Sequence, residues 1–291
     1  MSCGQLRIRV GPYTYAIKSN LKPVRDGIET LYGDFPVAGQ NSFIDYRVAM
    51  VQDSLVSRLR KQVNFELDHQ RPFAPIPQQQ AYASLEWGMN WCVSTYLNDY
   101  LKLHAAVVAK DSAAMVMPGI PGAGKSTLCA AMGLSGWQVL SDEHAMICKD
   151  KAEVLPLYRP VSLKNASIDI IKTFDSSATF GPVCYDTHKG TVAHLKTDFT
   201  PASHNEQALP VAILLFPQYD KDAPQRISPR YHSDSFIVAA FHSFNYSLLG
   251  EAGFAAMSHL LDHVQCFDLV YHDLDWALHE LESLHKEVTQ A

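Results

Sequence analysis

The chain has 291 residues, 47% of them apolar and 19% charged, a balance that suits a packed protein and excludes a disordered one. A formal net charge of −6 argues against a general binder of nucleic acid or of a membrane surface, since neither attracts an acidic protein. The N-terminal residues lack the apolar core of a secretion signal, and runs such as Val211–Phe216 fall far short of a membrane span, so a cytoplasmic location is expected.

Residues 1–78 read as a small mixed α+β region. Leu6–Val10 and Tyr13–Ile17 alternate apolar with polar residues and predict a hairpin about Gly11-Pro12. Val24, Ile28 and Leu31 recur at helical steps, and Phe43–Met50 and Val63–Leu67 read as further strands. The run from Arg71 to Pro77 holds too many prolines for a helix or an inner strand, which sets the linker there.

Residues 79–291 read as the main domain. From Gln79 to Tyr100 the positions Tyr82, Leu85, Met89, Cys92, Val93 and Tyr96 predict an amphipathic helix, with Trp87 and Trp91 as core or interface anchors. Leu101–Val108 and Ala113–Met117 predict a hairpin across Lys110-Asp111-Ser112. Gly136–Glu143 reads as a strand ending in two carboxylates, and Ala145–Cys148 with Glu153–Leu157 as a second hairpin. A helix is predicted over Ile168–Phe174, then a long polar loop over Ser176–Gly190. Strands over Thr191–Leu195 and Pro210–Phe216 follow, then helices over Asp234–Leu249 and Gly253–His263. A strand over Cys266–Tyr271 and a helix over Leu274–Val288, capped by Asp273, close an α/β chain rich in antiparallel hairpins.

The strongest motif is Gly119-Ile120-Pro121-Gly122-Ala123-Gly124-Lys125-Ser126-Thr127, which fills the phosphate-loop pattern between a strand-like and a helix-like run. Its glycines let the backbone curl with N–H groups inward, so that loop and helix N-terminus form a cradle for phosphate oxygens. Lys125 is expected to reach the β/γ-phosphates of a nucleotide, and the Ser126 hydroxyl to ligate Mg²⁺. Only 16 residues separate Lys125 from Asp142, so one helix and one strand return Asp142 and Glu143 to the loop. One carboxylate could ligate Mg²⁺ and the other accept the proton of an attacking hydroxyl. Arg159, Lys164 and Lys189 are the cations that follow, candidates to steady a transferring phosphate. His104 by itself reads as a strand histidine. His259 and His263, at i and i+4 on a helix, have zinc-compatible spacing but no third ligand. The cysteines, Cys3, Cys92, Cys129, Cys148, Cys184 and Cys266, are scattered with no Cys-x-x-Cys pair, which predicts neither disulfides nor a metal cage.

These residues resemble the HPr serine kinase/phosphorylase family. Its His-Gly-Val-Leu-Val-like strand, phosphate loop and Gly-x-x-x-Val-x-Asp-Asp-like strand look like His104–Val108, Gly119–Thr127 and Gly136–Glu143. The chain is most similar to the HPr-kinase-related kinase A branch, through Leu85–Trp91, Leu103–Val107, Gly136-Trp137, Ser141–Glu143 and Arg159–Asn165. The resemblance implies the compact phosphate-loop fold shared by HPr kinases and phosphoenolpyruvate carboxykinases. It also implies a kinase that moves the γ-phosphoryl group of ATP to a hydroxyl, a serine of a small protein or peptide, with a small-molecule kinase or a non-catalytic ATP-binding regulator as alternatives. His104 then becomes an active-site residue, with Asp142 and Glu143 in the places of the paired aspartates and Lys125 on the phosphates. The Glu-Ile-Arg-Gly-Leu-Gly signature of the phosphorylase site is missing, which counts against the reverse reaction and against HPr as substrate. A PqqD-like peptide-binding protein is the partner the branch implies. Whether several copies assemble is left open.

Overall fold

The computed structural model describes residues 5–39, 41–197 and 207–290, so Cys3 lies outside the described residues. These gather into two compact units, one built within residues 5–95 and 162–197, the other within 96–161 and 207–290.

The first unit begins with a hairpin of β1 (Leu6–Val10) and β2 (Tyr13–Ser19), in which Leu6 faces Ile17. Helix α1 (Lys22–Tyr32) buries Val24, Ile28 and Leu31 and carries the chain to β3 (Tyr46–Val51), which lies parallel to β2. The short helix α2 (Leu55–Leu59) precedes β4 (Gln62–Leu67), and β5 (Ile76–Pro77) closes the sheet in the order β1-β2-β3-β4-β5. The proline-rich run thus supplies an edge strand, a place in a sheet where a missing N–H costs little. Helix α3 (Ala81–Tyr96) buries Tyr82, Leu85, Met89, Cys92 and Val93 and ends four residues short of the expected Tyr100. On the same helix Glu86 is buried and accepts hydrogen bonds from the hydroxyls of Tyr32 (3.0 Å) and Tyr82 (2.6 Å), as a buried carboxylate requires.

The second unit opens with β6 (Leu101–Lys110) and β7 (Ala113–Pro118), an antiparallel hairpin whose turn residues Asp111 and Ser112 both have positive φ (47° and 64°). Consecutive positive φ values give the turn the twist of the strands it joins. After the glycine loop comes α4 (Lys125–Leu134), which ends in a Schellman motif. The Trp137 N–H reaches the Met132 carbonyl (3.1 Å), the Gly136 N–H reaches that of Gly133 (3.3 Å), and Gly136 has φ 90°. Strands β8 (Gln138–Ser141), β9 (His144–Ile147) and β10 (Glu153–Leu155) follow.

The chain then passes through β11 (Val161–Lys164), α5 (Ala166–Phe174), β12 (Cys184–Thr187) and β13 (Gly190–Leu195), a three-stranded sheet in the order β11-β13-β12 with its helix. The long loop expected over Ser176–Gly190 therefore contains a strand. Its residues Tyr185 and Asp186 are exposed, so it carries too few apolar positions to be seen as one.

Returning to the second unit, β14 (Leu209–Tyr219) is followed by β15 (Arg226–Pro229), α6 (His232–Phe241), α7 (Tyr246–Leu249), α8 (Glu251–His263), β16 (Gln265–Tyr271) and α9 (Leu274–Gln290). The sheet runs β10-β9-β6-β7-β14-β16-β15, with β8 also on β6 and β10 also on β14. Strand β14 is parallel to both β7 and β16, and its continuous apolar run is the pattern of a strand covered on both faces. Asp273 accepts the Trp276 N–H at 2.8 Å, the cap expected for the last helix. The single helix expected over Asp234–Leu249 is instead two. Between them Ser243 Oγ accepts the N–H groups of Asn245 and Tyr246, while the Asn245 carboxamide accepts the Lys102 N–H (2.9 Å) and donates to the Tyr100 carbonyl (2.9 Å). Ser and Asn side chains that take backbone partners in this way compete with the helix and end it.

Candidate functional site

The loop from Gly119 to Gly124 joins β7, which ends at Pro118, to α4, which begins at Lys125. Gly119, Gly122 and Gly124 all have positive φ (149°, 89° and 91°), and Ile120 at the tip is 60% exposed. Gly124 is also crowded. The Tyr271 hydroxyl donates to its carbonyl at 3.1 Å, and a Cβ at this position would stand 2.4 Å from that hydroxyl. Beside it the Tyr219 N–H donates to the Ala123 carbonyl at 3.1 Å. Tyr219 and Tyr271 face one another at the carboxyl ends of the parallel strands β14 and β16, so the floor of the loop lies where open parallel sheets bind ligands. Burial pushes the Tyr271 phenol above its ordinary range, which keeps it a donor. Neither tyrosine was singled out from the sequence, although both stand at the end of an apolar run.

Lys125 is buried, and its ammonium donates to the carbonyls of Gly119 (2.6 Å) and Ile120 (2.8 Å) across the mouth of the loop. Ser126 and Thr127 occupy the first turn of α4, where backbone N–H groups lack helical acceptors and the helix dipole is positive. This donor set fits the phosphates of a nucleotide: curled backbone, a helix N-terminus, an ammonium and a hydroxyl.

The carboxylates reach the loop through β6. On one flank β6 pairs Ala105 with Pro118 and Ala106 with Met117 of β7. On the other it pairs Val107 with Ser141 of β8 and His104 with His144 of β9. Asp142 and Glu143 bridge β8 and β9 opposite Ala105 and Ala106, two strand spacings, about 10 Å, from the last residues of β7. Asp142 is 4% exposed. The Cys129 thiol of α4 lies 3.9 Å from the Ser141 carbonyl and is pushed up by burial and then by the Asp142 charge, which locates that carboxylate beside α4. Glu143 is half-buried, with Oε2 3.3 Å from His104 Nε2. Lys125, Asp142, Glu143 and His104 therefore share one side of the second unit.

Beside them stand two residues the sequence did not announce, His144 and Phe244. His144 is buried and stacked on Phe244 (4.7 Å, 26°), and burial holds its imidazole down to about 3, so it is neutral at ordinary pH. Phe244 also meets His104 at 5.7 Å. The Arg159 charge adds to the depression of His144, so this buried cation belongs to the same neighbourhood. Lys164 and Lys189 belong to the first unit, where Lys164 ends β11 and Lys189 sits 5.1 Å over the Trp87 ring. The His263 ring bonds the His259 carbonyl (2.8 Å), and among the described residues no group of three His, Cys, Asp or Glu could hold a metal ion.

Lys102, also on β6, is buried, and burial pulls its ammonium down to about 8 from the ordinary 10.5. Between those values the unfolded chain holds a proton that the folded chain has released, so this residue's contribution to stability rises with pH across that window. Wild type should therefore gain melting temperature relative to Lys102→Met between pH 8 and 10.5. Parallel pH profiles of the two proteins would contradict this.

No family model matches the chain, and no curated protein matches it. Among solved structures, the Hpr(Ser) kinase/phosphatase from Coxiella burnetii aligns at 12% identity over 65% of this chain and 99% of that chain, with a TM-score of 0.29. A superposition that loose carries no argument about fold or activity. Among the described residues no helix is long and apolar enough to cross a membrane.

Proposed function

We propose that the chain is an ATP- and Mg²⁺-dependent phosphotransferase that moves the γ-phosphoryl group to a hydroxyl, a serine of a small protein or peptide. The observation that carries this reading is the architecture of β6, with the loop on one flank and Asp142-Glu143 on the other. A protein that only sensed nucleotide would need no carboxylate pair opposite its phosphate loop.

In this reading the loop amides and Lys125 hold the phosphates, and Lys125 exchanges its two carbonyl partners for phosphate oxygens. Ser126, in the first turn of α4, and Asp142, beside α4, are the residues that would hold Mg²⁺, which when bound would offset charge on the phosphates. Glu143, with His104 at 3.3 Å to orient it, takes the proton of the acceptor hydroxyl. A polypeptide acceptor is favoured over a small alcohol by Ile237 (67% exposed), Phe241 (81%) and Leu248 (73%), large apolar side chains on the segment that reaches β6 at His242.

Incubating the protein with γ-labelled Mg·ATP and a cell extract tests the acceptor. The reading predicts label on a polypeptide with wild type and none with Lys125→Ala. Label confined to a small organic product would replace the polypeptide by a small-molecule acceptor.

A further inference from the structure

The segment between α6 and α7 places a third histidine at this site. At Ala105, β6 still pairs with Pro118 of β7, but one residue earlier, at His104, β7 has ended and the loop has turned away. His242 holds the position that β7 leaves. Its carbonyl accepts the His104 N–H at 2.7 Å, the Phe244 N–H donates to the Lys102 carbonyl at 2.9 Å, and Leu103 bridges Ser243 between them. On the other edge His104 faces His144. Residues directly opposite one another in a ladder present their side chains on the same face, so His104 and His144 stand side by side on β6 and β9, and His242, the residue that ends α6, lies against the other edge of β6 at His104.

The three have different surroundings. His144 is buried and stacked on Phe244, and His104 contacts Glu143. His242 is half-buried on the flank where the loop begins. Its ring meets Phe241 edge-on at 5.2 Å and, among the described residues, makes no side-chain hydrogen bond within the protein. Burial, and then the charges of Lys125 and His104, hold its imidazole below the ordinary range, which sets it within electrostatic reach of the phosphate-loop lysine. The Ser243 and Asn245 bonds that end α6 fix the backbone that carries it.

We propose that His242 is a catalytic residue of the transfer reaction, its imidazole donating a hydrogen bond to the transferred phosphoryl group from the side of His104 remote from Glu143. The assignment rests on the phosphotransferase reading. The probe is γ-labelled Mg·ATP, with label released to water or transferred to extract as the readout for wild type, His242→Ala and His242→Gln. His242→Ala should lower kcat about 100-fold, the usual cost of removing one donor to developing charge. The KM for Mg·ATP and the melting temperature should stay within about twofold and about two degrees of wild type. His242→Gln, which keeps an N–H donor, should recover at least about tenfold of the loss. Wild-type kcat in His242→Ala would overturn the assignment, as would equal losses in both variants accompanied by a fallen melting temperature. Absence of any turnover by wild type would overturn the phosphotransferase reading and the assignment with it.

Discussion

Asp142→Asn should lower phosphoryl transfer by about 1,000-fold, the range in which positioned carboxylates and metal ligands act. The substitution keeps size and shape, so it tests charge alone. Asp142 is 4% exposed and sits close enough to the Cys129 thiol of α4 to push it up, which is the side of the carboxylate pair where Ser126 also stands. If Asp142 helps Ser126 hold Mg²⁺, the variant should need a higher Mg²⁺ concentration for half-maximal rate, while metal-free ATP binds as it does to wild type. Circular dichroism melts provide the control, since a buried residue can also act through stability. A variant that turns over within fivefold of wild type, with an unchanged Mg²⁺ requirement, would remove Asp142 from the site.

Gly124→Ala should have a comparable effect by a steric route. The φ of 91° is one that L-residues rarely adopt, and the added Cβ would stand 2.4 Å from the Tyr271 hydroxyl and 3.2 Å from the Tyr219 Cβ. Backbone strain of this kind costs about 1–3 kcal/mol, and the overlap forces the loop off its tyrosine floor. We expect a clear drop in melting temperature together with loss of measurable Mg·ATP binding by calorimetry. Because the nearest atom is the hydroxyl, Gly124→Ala combined with Tyr271→Phe should recover part of the stability. A double variant no more stable than the single one would show that strain alone, and not the contact with Tyr271, sets the cost.

Local elements were legible wherever a period and a punctuating residue agreed. The hairpin of β1 and β2 about Gly11-Pro12, that of β6 and β7 about Lys110–Ser112, and the last helix with its Asp273 cap all appear close to where the pattern put them. Legibility failed where polar side chains act through the backbone. The break between α6 and α7 depends on Ser243 and Asn245 finding partners on β6 and nearby residues, 141 to 147 positions away in the chain, and no local pattern announces that. β12 was lost because its middle residues are exposed, and β15 because its four residues include none that is buried.

For the site, the motif made the loop and its lysine visible, and the short spacing to Asp142-Glu143 made the carboxylates visible. The register that sets both against β6 is a tertiary fact, as are the tyrosine floor and the placing of His144 and His242 on the two edges of β6 at His104. That residues 162–197 gather with residues 5–95 in one compact unit is another.

If the proposal holds, the loop at Gly119–Thr127 binds the phosphates of a nucleotide whose γ-phosphoryl group is then moved. The most direct measurement is turnover of γ-labelled Mg·ATP by wild type and by Lys125→Ala under identical conditions, with binding followed in parallel by calorimetry. Wild type should show saturable binding and turnover, with turnover lowered at least about 1,000-fold in the variant, because the ammonium that now bonds the Gly119 and Ile120 carbonyls is the one that must meet the phosphates. Equal binding and equal turnover by the two proteins, or neither by wild type, would contradict it.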